Sequence, residues 1–556
     1  MADLQQIRAE VNNAFKLSGF TIRREASTFV AEQISSLPIE QRQATIDKLI
    51  AHLLHQCLSQ PVLEKQHLET AYKECSTHGL EETETVLNII DAFVVPKLCY
   101  DCERKRFVKN VNVNSTLYPD PKWKAQFLID RYMVIWQRTL RNKLFAQEAL
   151  PLADGEQRFQ LRKIEVLLSS SSRIDEVIAL GMLTQLTEGK YYLEDPTGSV
   201  LLDISQARFH SGLFTENSFV LVEGYYDDKL LFVKGLTLPP SEKRSESLPY
   251  FGSLNTFGGK SKTLLKNSKS LLKIENEDRE GMMIFLSDCW FDSLKVMSKL
   301  KTLFTGYNDY PPLAIVFIGE FLSNPYGHEH SSQLRMALLN LAETISPFQK
   351  LKETTKFIFV PGRGDPSAAN ILPRPAIPNS VTKEIRDKLG DAVVFTTNPC
   401  RIQYCTQEIV IIRQDLVMKM CRNSIHFPES GDIPDHLMKT LLSQCTLSPL
   451  PLGVQPVYWK HVDALSLYPV PDLVVVADHF QPYTRSHQDC QMVNPGSFPR
   501  TEFSFKVYIP SARATKQIIA TVNSIMMGVY TPSKSFLKPE NCKRKGFVID
   551  LLLIFT

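Results

Sequence analysis

The sequence predicts a multidomain α+β chain: a helical N-terminal bundle, a small β-barrel and a large α/β domain. Three observations carry that expectation. Apolar residues recur at spacings of three and four through residues 1–95. Five short β-branched and aromatic runs, separated by turn signals, lie between residues 175 and 238. From residue 281, apolar runs without alternation are interleaved with helical stretches, as in a sheet covered on both faces.

The totals permit this. At 556 residues and 43% hydrophobic, the chain can build several cores. A formal net charge of +3 gives no global nucleic-acid footprint, so any electrostatic argument is local. The first residues are polar and carry no secretory signal pattern, and no apolar run reaches the ~20 residues of a membrane helix. Eleven cysteines scattered without a framework fit a reducing compartment.

In residues 1–95, Ile7, Val11 and Phe15, then Phe29, Val30 and Ile34, then Ile46, Ile50, Leu53 and Leu54, and finally Val86, Ile89, Ile90 and Phe93 read as helical faces, with Gly19 and two Ser–Pro stretches as breaks. Residues 96–155 form a basic connector. Cys99 and Cys102 read as two unrelated thiols, because no second pair completes a zinc set. Between residues 104 and 143, ten basic residues face two acids, and Asp120-Pro121 announces a helix running to about Phe145. That helix faces nucleic acid or lies on an acidic neighbour. Residues 156–240 hold the five strands of an OB-type barrel, with Tyr191, Tyr192 and Phe209 able to stack bases. Ten acids against four bases in residues 175–238 favour protein docking over phosphate binding. Residues 241–280 read as a polar linker, and residues 281–510 as the α/β domain.

The α/β domain carries loop words close to those of binuclear, calcineurin-like phosphoesterases. Such a site gathers oxygen and imidazole ligands from several strand ends around two cations. FIFVPGRGDP (357–366) ends a buried strand where active members carry Gly-Asn-His-Asp; here Arg363 and Gly364 replace the amide and the imidazole, and Asp365 remains. Arginine offers no lone pair and stays charged, so the reading is that it repels a divalent cation. The Asp-x-His word is Asp288-Cys289-Trp290, and the Gly-Asp-x-x-Asp word is Gly319-Glu320-Phe321-Leu322-Ser323. The loop at 396–399 lacks the expected histidine, and the last word, Ala477-Asp478-His479-Phe480, displaces its one histidine. The degenerate positions are therefore Asp288, Trp290, Glu320, Arg363, Gly364, Asp365, Asp478 and His479. The expectation is an inactivated phosphoesterase fold with no catalytic residue, metal or cofactor. Two alternatives stay open: an active metallophosphodiesterase with a remodelled site, and an OB-fold single-stranded DNA binder.

The order helical domain, OB-type barrel, decayed phosphoesterase domain resembles the B-subunits of eukaryotic replicative DNA polymerases. The words AFKLSGF (14–20), YYLEDPTG (191–198), TTNPCRIQYCTQEI (396–409), LPLGVQPVYW (450–459), YPVPDLVVVAD (468–478) and NPGSFPR (494–500) resemble the DNA polymerase epsilon branch. The resemblance implies a non-catalytic nuclear accessory subunit. Its barrel and phosphoesterase domains would grip the cysteine-rich C-terminal domain of the catalytic subunit. Its N-terminal domain, similar to the helical lid of AAA+ ATPases, would tether the polymerase to the GINS part of the replicative helicase. DNA would be met mainly through the complex, and no membrane is implied. Residues 511–556 depart from the family pattern and are expected to be an atypical tail.

Overall fold

The computed structural model describes residues 2–521 except 36–41, 44, 48, 51–52, 54–61, 76–84, 111–115, 146–158, 262 and 325–326. The expected N-terminal bundle contains α1 (Ala2–Leu17), α2 (Arg24–Ser35) and α3 (Lys65–Cys75). Its core holds the residues whose spacing announced it, including Ile7, Val11, Phe15, Val30, Ile34 and Ile50.

The next stretch corrects the sequence reading. Val86 to Phe93 is not helical: β1 (Leu87–Asp91) is a strand. Its partner lies some 300 residues away, so local periodicity could not reveal the pairing. A hairpin follows, β2 (Leu98–Asp101) with β3 (Arg106–Lys109), carrying Cys99 and Cys102 as free thiols. Helix α4 (Lys122–Arg141) is the expected basic helix, and its arginines are turned inward. Arg138, 2% exposed, donates to the Leu442 and Ser443 carbonyls at a helix C-terminus. Arg141 pairs with Glu242 at 2.6 Å, and Arg131 donates to the Asn217 carbonyl. These cations are spent on packing between segments.

The barrel strands are β4 (Ile174–Thr187), β5 (Lys190–Asp195), β6 (Gly198–Asp203), β7 (Phe219–Asp227) and β8 (Leu230–Thr237). They run β4-β5-β6-β8-β7 and close back on β4, a five-stranded OB barrel. Residues 241–280, expected to be a linker, are folded against the domain that follows. Helix α5 (Lys269–Glu277) buries Leu271, and Leu264 and Leu265 are also buried. Arg244 is held between Glu408 and Asp472, and Lys266 reaches Asp472 at 3.0 Å. Burying charges is tolerated here because each cation has its carboxylate.

The α/β domain is two six-stranded sheets face to face. The first takes β9 (Met283–Ser287), β10 (Ala314–Ile318), β11 (Lys356–Val360), β12 (Val393–Phe395), β18 (Ser504–Ile509) and β19 (Ala514–Ile519) in the order β12-β11-β10-β9-β18-β19. The second takes β13 (Cys400–Tyr404), β14 (Gln407–Arg413), β15 (Leu473–Ala477), β16 (Tyr483–His487) and β17 (Cys490–Asn494) in the order β16-β17-β15-β14-β13-β1. One core lies between the sheets, joining Phe285, Val316 and Ile358 to Ile402, Ile411 and Val475. Helices α6 (Leu294–Tyr307), α7 (His330–Ile345) and α8 (Asn379–Leu389) cover the outside of the first sheet, and α9 (Leu416–Arg422) and α10 (Ile433–Ser443) that of the second. This four-layer sandwich is the calcineurin-like phosphoesterase fold. Strand β19 falls within residues 511–556, so the first part of the expected tail is an edge strand of the sheet. Residues 522–556 lie outside the described residues.

Barrel and sandwich meet through buried polar pairs. The Gln444 side-chain amide takes both backbone groups of Phe219, each at 2.7 Å. His436 Nδ1 accepts from Gly212 N, and Thr440 Oγ1 from Leu213 N, each at 2.9 Å. Phe214 and Thr215 of the barrel segment pair with His426 and Ser424 as a short antiparallel bridge.

The placement of β1 makes truncation informative. Ile90 is 1% exposed, Ala92 N donates to Thr397 Oγ1 at 2.8 Å, and Thr396 Oγ1 donates to Asp91. A chain starting at residue 85 should keep the cooperative thermal transition of the sandwich. A chain starting at residue 96 should lose at least ~3 kcal/mol, the cost of emptying one large aliphatic core site. Circular dichroism melts of the two truncations check this.

Candidate functional site

The strand-end loops that hold metals in active phosphoesterases converge here, as the loop words predicted. Asp288 follows β9, Glu320 follows β10, Asp365 follows β11 and His479 follows β15. Asp288 sits at φ 55°, a left-handed backbone that turns its carboxylate inward. It is 1% exposed, and its Oδ1 accepts from Glu320 N at 3.1 Å.

The group at the centre is one that sequence reasoning missed. Arg413, the last residue of β14, is 3% exposed. Its Nη2 lies 3.2 Å from Asp288 Oδ1, and its Nη1 lies 2.9 Å from Asp415 Oδ1. Nε donates to the Gly319 carbonyl at 2.7 Å, and Nη1 also to the Ala477 carbonyl at 3.2 Å. His479 completes the cluster, with Nε2 3.1 Å from Asp288 Oδ2 and Nδ1 3.1 Å from Asp415 Oδ1. The charges balance as two cations against two carboxylates. The 3.0 Å approach of Arg413 Nη2 to His479 Nε2 is then a contact between two donors that share Asp288.

The pKa shifts follow this geometry. Burial would raise the Asp288 carboxyl, but Arg413 and His479 outweigh it and hold it below the usual range. Asp415 is likewise held well below that range, burial being overruled by His479 and Arg413. Hydrogen bonds to Asp288 and Asp415 push His479 up to about 9.

The other predicted positions act as ties. Asp365 is 2% exposed and accepts from Gly362 N at 2.7 Å and Phe321 N at 3.0 Å, locking the β10 and β11 loops together. Burial pushes its carboxyl up to about 6. The loops approach so closely that a Cβ at Gly319 would stand 2.0 Å from Asp365 Oδ2. Glu320 Oε1 accepts from Gly364 N at 3.1 Å. Asp478 turns away from the cluster to α9, accepting from Val417 N at 2.9 Å, and burial raises its carboxyl. Trp290 packs on the first-sheet core with the Arg500 guanidinium over its ring. Arg363 is exposed and stands outside the cluster. The sequence reading put Arg363 where the amide ligand stands and had it repel a cation; the guanidinium that faces the acids is that of Arg413. A motif alignment fixes where a residue lies in a loop but not where its side chain points.

The fold family implies a binuclear metal centre, and these residues do not fit one. A guanidinium lies between the carboxylates that would bridge or bind the ions, and Asp365 and Asp478 are saturated by backbone donors. Among the described residues no group of three or more His, Cys, Asp or Glu is arranged to hold a metal ion.

The His479 shift has a definite sign. Its folded pKa, about 9, stands above the ordinary 6.5. Its contribution to stability is therefore complete below about pH 6.5 and is lost as pH rises through about 9. Thermal melts from pH 6 to 9.5 should show the wild-type advantage over His479→Gln shrinking across that window. An advantage that stays constant would contradict the bridged imidazolium.

Three family profiles match separate stretches of this chain. The profile of the DNA polymerase alpha/epsilon B-subunit family matches residues 283–485. The DNA polymerase epsilon subunit 2-like OB-fold profile matches 121–240, which includes α4, and the DNA polymerases epsilon N terminal profile matches 3–75. DNA polymerase epsilon subunit 2 of Homo sapiens is 44% identical over 518 residues, covering 92% of this chain and 98% of that protein. The Drosophila melanogaster protein is 41% identical, covering 92% and 97%. The DNA polymerase epsilon B-subunit of Saccharomyces cerevisiae is 29% identical, covering 82% and 78%. Among solved structures, an archaeal phosphodiesterase covers 43% of this chain and 99% of its own at 11% identity and a TM-score of 0.24, a likeness that carries no inference about chemistry. By its sequence relatives, the chain belongs to the family of DNA polymerase epsilon subunit 2, the B-subunits of that polymerase.

Proposed function

We propose that this chain is the non-catalytic B-subunit of DNA polymerase epsilon, working in the nucleus in chromosomal replication. The observation that carries the non-catalytic reading is Arg413, whose guanidinium occupies the space between the acids of the old catalytic loops. What the loops retain is architecture. The barrel, α4 and the sandwich are joined by buried hydrogen bonds, which makes them a stiff platform for another protein. The partner that fits the family is the catalytic subunit, through its cysteine-rich C-terminal domain. The N-terminal bundle, with its own core, suits a tether to the GINS component of the replicative helicase. DNA is engaged mainly through the complex, because α4 spends Arg131, Arg138 and Arg141 inside the protein.

Co-expression with the polymerase C-terminal domain tests this. The two should co-elute in size-exclusion, and the partner should raise the melting midpoint by linkage; at a free partner concentration of 100 Kd the gain is about 2.7 kcal/mol. The purified chain with excess manganese should not hydrolyse bis-phenyl phosphates. Turnover abolished by Asp288→Ala would favour the remodelled-enzyme reading. A melting point indifferent to the partner would overturn the scaffold.

A further inference from the structure

We propose that the outer face of the barrel carries an anchor pocket for a basic side chain of a partner protein, built on Glu223, His210 and Gly235. The pocket rests on the scaffold reading only in needing a protein partner. Strand β7 alternates sides: Val222 belongs to the barrel core, whereas Leu221 and Glu223 point out toward the connector. Opposite Glu223 in the β7–β8 ladder stands Gly235, which has no side chain to cover the carboxylate. The short strand Arg208–Phe209 runs parallel to Gly235 and Leu236 and brings His210 over the same glycine. A Cβ at Gly235 would lie 3.5 Å from Glu223 Oε2 and 3.9 Å from His210 Nε2, so the two polar atoms meet above a glycine notch. Both lack a partner. His210 Nε2 is buried without a hydrogen bond. Among the described residues, no ion pair or hydrogen bond reaches the Glu223 carboxylate. Burial raises that carboxyl above its ordinary value; Lys234 offsets this only in part, and Glu176 adds to it. Burial and Arg208 both lower His210, which stays neutral at pH 7 and supplies no compensating charge.

The space above the notch is a pocket of about 130 Å³, walled by Leu144, Phe145 and Phe159 of the connector and by Leu221 and Leu238 of the barrel segment. An apolar cavity of ~150 Å³ holds a benzene ring, so this pocket has the size of one side chain. Apolar walls that end on an uncompensated carboxylate match an apolar stem tipped by a cation with several N–H donors. Arginine and lysine have that build. With its proton on Nδ1, His210 offers the same tip a second acceptor. A half-buried carboxylate without a cation is costly, and an arriving guanidinium or ammonium relieves that cost. The wider field agrees, because ten acids against four bases in residues 175–238 attract a basic protein surface and repel a phosphate backbone.

The test titrates the full chain by ligand-detected NMR with N-acetylarginine amide, its neutral isostere N-acetylcitrulline amide, and benzamidine. The arginine amide should bind at least about tenfold more tightly than the citrulline amide, the worth of one charge-assisted hydrogen bond. Benzamidine should compete with it. Glu223→Gln should abolish the preference for arginine and leave the citrulline amide unaffected. Gly235→Ala places a methyl group in ordinary contact with Glu223 and His210, so it should melt as the wild type does. By filling the floor of the pocket it should weaken both amides, and it carries the test if Glu223→Gln fails to fold. Equal affinity for the arginine and citrulline amides overturns the anchor pocket. So does arginine binding that survives either substitution. Binding of benzamidine without the arginine amide also overturns it, and makes this a site for a free aromatic amine. A polymerase C-terminal domain that fails to co-elute sinks the proposed partner and leaves these titrations untouched.

Discussion

Asp288 is a carboxylate at the end of a fully buried strand, 1% exposed, and it cannot remain charged there without a cation against it. In active phosphoesterases that requirement is met by metal ions. In this chain it is met from within, by the guanidinium of Arg413 and the imidazole of His479. The consequence spreads through the loops. Because Arg413 also takes the Gly319 and Ala477 carbonyls, the strand ends of both sheets are fixed at one point. The neighbouring acids are then free for other work. Asp365 ties two loops by their backbone amides, and Asp478 caps α9. On the non-catalytic reading proposed above, these acids serve the packing of the strand ends.

The same logic of paired buried polar groups joins the larger parts. Arg244 and Lys266 fasten the 241–280 segment to Asp472 on the second sheet. Arg138 on α4 satisfies the C-terminal carbonyls of α10, where a helix leaves acceptors unpaired. Gln444 just beyond α10 answers both backbone groups of Phe219 in the barrel. Each pair leaves a buried group unsatisfied if its partner departs, a cost of about 1–3 kcal/mol per group. Separation of barrel and sandwich is opposed by several such costs at once, so the two should present one surface to a partner.

Most of this architecture was legible in the chain. The five barrel strands are short β-branched and aromatic runs, and the strands ending at Ser287, Ile318, Val360 and Ala477 are continuous apolar runs, all bounded by turn residues, a strong local signal. The loop words placed Asp288, Glu320, Asp365 and His479 at converging strand ends. What failed to show is whatever depends on distant pairing. Ile89, Ile90 and Phe93 have helical spacing, but Leu87–Asp91 is an edge strand whose hydrogen-bond partner is Cys400–Tyr404. Residues 241–280 look like a linker because their charges are polar in any local window; their burial is made possible by Glu408 and Asp472. Arg413 closes the run EIVIIR and reads as an ordinary charged strand terminus. A sequence signal did exist, since a charge at the end of an otherwise buried strand, two residues before Asp415, is uncommon in a core sheet.

The role of these loops turns on which cation sits against Asp288. Crystals of the full chain grown or soaked in manganese, with anomalous differences collected above the manganese absorption edge, address this directly. Planar guanidinium density should bridge Asp288 and Asp415, with no anomalous peak within ligand distance of either acid. An anomalous peak coordinated by Asp288, with the Arg413 side chain turned out of the cluster, would contradict the guanidinium bridge.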